Sequence, residues 1–206
     1  MMEKEKAIWV KNKIKEDFKD IDKQDLESFF EELKNNNRNY SFIGYYNRTV
    51  LDKEKIKFGE FKRQWGIQGM TKEVYDFFDK NYDKLKKEIV KKKNIEDFFR
   101  KYCSRERKEG SFCSKLFHTF LPSEFPPVDY HIRKRFNLLN EDFIKAVLII
   151  KKGYGLFIRE NPKPIEMIRK ELSKEKFSFL RVDELSDIRI LDMYYWLQGR
   201  LERMKK

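Results

Sequence analysis

The chain has 206 residues, with 47 Lys and Arg against 35 Asp and Glu, so its formal net charge is +12. Forty per cent of it is apolar, and 19 Phe, 10 Tyr and 3 Trp exclude a disordered chain, which is poor in aromatics. No apolar run approaches the roughly 20 residues of a membrane-spanning helix, and two cysteines suit a reducing cytoplasm better than a disulfide scaffold.

The length predicts a single domain over residues 1–206, with 1–70 as a candidate separate lobe. Only eight Gly and five Pro favour long helices, and the expected class is all-α. A positive surface of this size points first to nucleic acid, against the plain alternative of a lysine-rich solvated surface.

Glu3 to Asp20 reads as a helix with Ile8, Trp9, Ile14, Phe18 and Ile21 as a loose stripe. Asp25 is placed to cap a second helix bearing Leu26, Phe29, Phe30 and Leu33, which dissolves at Asn35-Asn36-Asn37. Between Tyr40 and Gly69 the period does not decide between a short strand and a buried helix around Tyr40, Phe42, Tyr45 and Tyr46. Phe58, Phe61 and Trp65 suggest a helix stopping near Gly66. Thr71 starts a sustained helical stripe from Val74 to Ile89, with Lys84, Lys86, Lys87, Lys91, Lys92 and Lys93 on its polar face. Asn94 then caps a short helix carrying Ile95, Phe98, Phe99 and Tyr102, followed by a loop over 104–110.

Cys113, Leu116, Phe117, Phe120 and Leu121 mark the next helix, which Pro122 ends. Pro126 and Pro127 stiffen the approach to Asp129, the expected N-cap of a basic helix from Tyr130 to Asn137. Asn140 is placed to cap a core helix over Phe143 to Ile150, with a break or kink expected at Gly153-Tyr154-Gly155. Pro162 and Pro164 open another helix, and Asp183 begins the last.

Pro127-Val128-Asp129-Tyr130-His131-Ile132-Arg133 resembles the P-V-D-x-H-I-x-R signature of the helix-hairpin-helix DNA glycosylase superfamily. Leu191-Asp192-Met193-Tyr194-Tyr195-Trp196 is similar to the L-D-L-Y-x-W of archaeal-type 8-oxoguanine DNA glycosylases. The resemblance implies a helical domain with a central hairpin-like region over about 94–139. It implies base-excision removal of a damaged base from double-stranded DNA, with 8-oxoguanine as one candidate, and no cofactor, metal or membrane. Asp129 would then stabilise positive charge at the sugar. The family's G-x-G-x-K hairpin lysine is replaced here: Phe112 takes its place when aligned on Gly110, and Ser111 when counted back from Asp129. A monofunctional, Asp-assisted mechanism follows, on a chain expected to be monomeric. Lys115, one turn further on, is the amine that could substitute, a solvated helix lysine being the ordinary alternative.

The same resemblance places Arg105, Arg107, Lys108, Gly110, Ser111, His131, Arg133 and Lys134 against DNA, and Phe112, Tyr130 and Trp196 around a flipped base. For Asp192, Tyr194 and Trp196 core packing is the alternative. A non-catalytic nucleic-acid-binding module on this scaffold is the alternative function. The spacing C-x9-C-x4-H-x12-H of Cys103, Cys113, His118 and His131 fits no common structural zinc pattern.

Overall fold

The computed structural model of the chain describes residues 2–19, 30, 37–68, 70–103 and 106–204, with the side chains of 37–40, 106–108 and 199–204 outside that description. Among the described residues every regular element is helical, as an all-α class requires. The helix expected after Asp25 lies outside the described residues except for Phe30, which is fully buried.

Helix α1 (Glu3–Asp17) lies along the long helix that spans Phe143–Glu160. Where they meet, a Cβ on Gly153 would stand 2.5 Å from Val10 Cγ1 and 3.1 Å from the Ala7 carbonyl oxygen. Gly153 therefore serves close helix packing and not a break, and the long helix runs through Gly153-Tyr154-Gly155 unbroken, contrary to the sequence expectation. The local helix cost of a glycine, about 1 kcal/mol, is accepted for that approach.

The stretch that the sequence left undecided is helical. Helix α2 (Asn37–Tyr46) continues into a π-helical turn, Asn47–Leu51, and buries Phe42, Tyr45 and Tyr46. Helix α3 (Phe58–Gln64) ends at Trp65, and the chain turns at Gly66, whose φ of 62° suits a residue without Cβ.

The lysine-rich stripe is two helices, α4 (Lys72–Lys80) and α5 (Tyr82–Lys92). Asn81 separates them: its side-chain amide donates to the Phe77 carbonyl at 2.8 Å, and its backbone leaves the helical region. Asn94 caps α6 (Ile95–Tyr102), its Oδ1 accepting from Asp97 N at 3.1 Å.

Helix α7 (Glu106–Phe120) is the centre of the molecule, packing against α5, α6, the π-helical turn and the long helix. It begins earlier than expected, so Gly110 lies within it and not in a loop. A Cβ at Gly110 would stand 2.5 Å from the Phe143 ring, so this glycine also admits a close neighbour.

Asp129 caps α8 (Tyr130–Arg135). The long helix, α9 (Phe143–Glu160), is capped by Asp142 and not Asn140: Asp142 Oδ1 accepts from Lys145 N at 2.8 Å. Pro162 opens α10 (Pro162–Leu172) at its first turn. Two 3₁₀ turns follow, with Arg181 between them at a φ of 51°. Asp183 belongs to the second of these, and α11 (Asp187–Met204) starts later, where Ser186 Oγ accepts from Arg189 N at 3.2 Å. Buried side chains from Val10 to Leu197 form one continuous apolar core, to which the first 70 residues contribute. No helix among the described residues is long and apolar enough to cross a membrane.

Candidate functional site

Helix α7 is covered on more than its apolar stripe, so polar residues on it are buried too: Ser114, Lys115, His118 and Thr119 are each at most 6% exposed. Burial of a polar group demands a partner, and two of these find theirs in the proline turn. Ser114 Oγ donates to the Val128 carbonyl at 2.9 Å. His118 Nδ1 lies 2.7 Å from the Phe125 carbonyl, which only accepts, so Nδ1 carries the proton. Nε2 then accepts from the Tyr46 hydroxyl at 2.9 Å. Burial, reinforced by the positive charge of Arg189, holds the His118 pKa down to about 3, and the ring stays neutral.

These two bonds clamp the buried segment 125–128 onto α7 and deliver Asp129 to the start of α8. Asp129 Oδ1 accepts from His131 N at 2.8 Å and Ile132 N at 3.1 Å. Its second oxygen has no hydrogen-bond partner among the described residues, which leaves one face of the carboxylate for other work.

Lys115 is not solvated. It is 6% exposed, and its Nζ donates to the Trp65 carbonyl at 3.0 Å and lies 6.0 Å from the Trp65 ring centroid. Burial pulls its pKa below the usual lysine value, while the carboxylates of Asp129 and Asp192 oppose the shift. Asp192 is buried on α11 and pairs with Arg189 one turn earlier. Burial pushes Asp192 up to about 7; Arg189 and Lys115 pull against this, and the nearby negative charge of Asp129 adds to it. The Arg189 guanidinium lies 4.6 Å from the Tyr46 ring centroid.

The fold thus brings Lys115, from the central helix, within electrostatic reach of one carboxylate from each of the two quoted motifs. A lowered pKa raises the share of the deprotonated amine, the form in which a lysine acts as a nucleophile. Next to Trp65 the surface opens into a groove of about 390 Å³ lined by Gly59, Lys62, Arg63, Gly66, Gln68 and Tyr75.

The other residues singled out from sequence scatter. Arg105 and the side chains of Arg107 and Lys108 lie outside the described residues. Gly110 and Ser111 are inside α7, beyond its first four N–H groups, so their amides are taken up by the helix and cannot cradle a phosphate. Phe112 is 1% exposed among Phe58, Phe61 and Phe78, the last with ring centroids 4.8 Å apart, and is core, not pocket lining.

Arg133, expected on the DNA face, is also buried. It donates to the carbonyls of Leu138, Leu139 and Glu141 and lies over the Phe143 ring, so it braces the α8–α9 connection. Lys134 is exposed, His131 half-buried, and Tyr130 stands 57% exposed and edge-on to His131. Trp196 is half-buried, its ring 6.2 Å from Phe42.

Sequence reasoning missed Arg189, Tyr46 and Trp65 as members of the cluster. One signal was present: Lys115 and His118 interrupt an otherwise apolar run at a spacing that puts both on one helical face. No protein family, no curated protein and no solved structure matches the chain.

Proposed function

We propose that the protein cleaves the N-glycosyl bond of a damaged nucleotide in DNA, with Lys115 and Asp129 as its reactive pair. The observation that carries this reading is the buried amine of Lys115 in the field of Asp129, whose second oxygen has no hydrogen-bond partner among the described residues. In the reaction Lys115 first gives up its proton, and the free amine attacks C1′ of the sugar. The C1′–N bond breaks, and its electron pair leaves with the base, which takes up a proton. Loss of a proton from nitrogen and opening of the sugar ring then give an imine. Asp129 stabilises the positive charge that develops at the sugar, where a fixed carboxylate is most effective. This replaces the expectation of a monofunctional enzyme, because the amine that the hairpin lacks is supplied one turn further along α7. The Trp65 carbonyl must release the amine, so the turn at Gly66 has to yield when substrate enters beside the groove.

The test is borohydride trapping on a panel of duplexes, each with one damaged base. The expected result is release of a base and a covalent adduct that peptide mapping places on Lys115. Base release without an adduct would leave Asp129 acting with water and remove Lys115 from the chemistry.

A second reading, a nucleic-acid-binding module without catalysis, is favoured by the 6% exposure of Lys115 and its bond to a backbone carbonyl, which suit a buried structural tie. It prevails if no lesion in the panel is released.

A further inference from the structure

The charge of the chain is unevenly neutralised. Lys55 and Lys86 converge on two aromatic rings at the end of α7, with Lys53 near Lys86. Lys55 Nζ lies 5.1 Å from the Tyr82 ring centroid, and Lys86 Nζ lies 5.9 Å from the centroids of both Tyr82 and Phe120. Lys53 sits in the same loop at a φ of 61°, its Nζ turned back onto the Val50 carbonyl. Burial and the charge of Lys86 both push its pKa down, so these two ammonium groups feel one another. Like charges gathered without a counter-ion repel, and a fold that holds them together has made a site for an anion.

The neighbouring carboxylates are committed elsewhere. Asp52 pairs with Arg181 at 2.7 Å, Glu54 faces Arg48 at 3.8 Å, and Glu124 pairs with Lys93. Asp83 acts on Tyr82 but makes no ion pair with the three lysines among the described residues. Lys84, Lys87 and Lys91 form a separate row on the outward side of α5, about 100–160° round the helix from Lys86, all exposed and without a carboxylate partner among the described residues. Their spacings of three and four residues set charges about 5–6 Å apart along the helix, a row that can follow a phosphate backbone.

Tyr82 makes the floor and not the contact: it is 4% exposed, and the apolar side of α5, Leu85 and Ile89, faces the core. That disfavours a membrane, which an amphipathic helix enters with its apolar face free. It favours a solvated polyanion.

We infer that Lys53, Lys55 and Lys86 form a phosphate-binding site that holds the backbone of double-stranded DNA, with the exposed row Lys84, Lys87 and Lys91 on the outward side of α5 as a second backbone contact. The choice of DNA rests on the function proposed above; the anion site rests on the lysine geometry alone. It moves the principal backbone contact away from the 105–110 region. The face adjoins the cluster, since the charge of Lys53 reaches His118, one turn from Lys115.

The experiment is fluorescence anisotropy of an undamaged 20-bp duplex with the full chain between about 50 and 200 mM salt. The triple variant K53Q/K55Q/K86Q should lower the slope of log K against log salt by about 2.7, because each lost phosphate contact releases about 0.9 fewer counter-ions. K84Q/K87Q/K91Q, whose side chains are exposed and make no hydrogen bond or ion pair among the described residues, should lower it similarly and guards against misfolding of the first variant. K152Q/K163Q/K170Q removes the same net charge from α9 and α10 and should leave the slope unchanged. Native binding by both test variants, or an equal loss in the control, overturns the inference. So does binding to phosphatidylserine vesicles that exceeds binding to the duplex and is lost in the same variants. Base release by the native chain with no change in the test variants would sink this face alone. Loss of binding in both test variants with no base released by the native chain would sink the catalytic reading alone.

Discussion

Replacing Lys115 with methionine separates a reactive lysine from a structural one. The ammonium is 6% exposed, makes one bond to the Trp65 carbonyl, and is held near Asp129 and Asp192 without a direct salt bridge. Methionine keeps the length and volume of the chain and removes the desolvated charge. Replacing a whole buried ion pair by apolar residues of similar volume is neutral or stabilising by about 1–4 kcal/mol, whereas removing one partner of a direct pair costs about 3–5 kcal/mol. Lys115 has no direct carboxylate partner among the described residues, so the first case is the nearer. Here the lower end applies, since Asp192 keeps Arg189 while the Trp65 carbonyl loses a donor; we expect Lys115→Met to be about 1 kcal/mol more stable at pH 7.

The pH dependence checks the cause. The pKa of Lys115 is lowered in the fold, so between that value and about 10.5 the unfolded chain binds the proton and the folded chain does not. Stability of the native protein therefore gains from this group as pH rises through that window, whereas the variant gains nothing. Urea denaturation followed by circular dichroism at pH 7 and pH 9.5 should show the variant's advantage shrinking at the higher pH. A loss of more than about 2 kcal/mol on substitution at pH 7 would refute the reasoning, because the ammonium would then be a tie that the fold depends on.

Asp129→Asn should keep the α8 cap and the fold, since its Oδ1 can accept the same two backbone N–H bonds, while abolishing base release; Asp129→Ala should also cost about 1 kcal/mol in denaturant. His118 titrates near 6.5 when unfolded and near 3 when folded, so stability is full above pH 6.5 and falls by about 1.4 kcal/mol per pH unit below it, a slope that His118→Gln should remove. Gly153→Ala should lower stability by about 1–3 kcal/mol despite alanine's better helix propensity, and pairing it with Val10→Ala should recover part of the loss in Tm.

Local chemistry was legible in the sequence; what covers each surface was not. Asp129 was readable as a cap because an acid after Pro-Pro-Val and before a basic run has few other local uses, and Asn94 likewise. Gly153 looked like a break because its cost is local, whereas its benefit, the approach of Val10, comes from a helix over 140 residues earlier in the chain. Asn81 divided a continuous stripe for a reason invisible to periodicity, a side chain competing for the Phe77 carbonyl. Lys115 was the hardest case. Its position on a helix was plain, but its burial depends on Trp65 and α11, which the order of the chain does not place beside it.

The two bonds from α7 to the proline turn give the candidate site an unusual mechanical property. Ser114 and His118 flank Lys115 on one helix and grip the carbonyls of Val128 and Phe125, so the backbone that carries the amine is tied to the backbone that carries the Asp129 carboxylate. Their separation cannot be tuned by a loop moving between them. Any strain from an arriving substrate is passed instead to the Trp65–Gly66 side, where the Trp65 carbonyl holds the amine next to the glycine turn. Hydrogen exchange should show the two sides as distinct clocks, slow amides on α7 facing faster ones after Trp65.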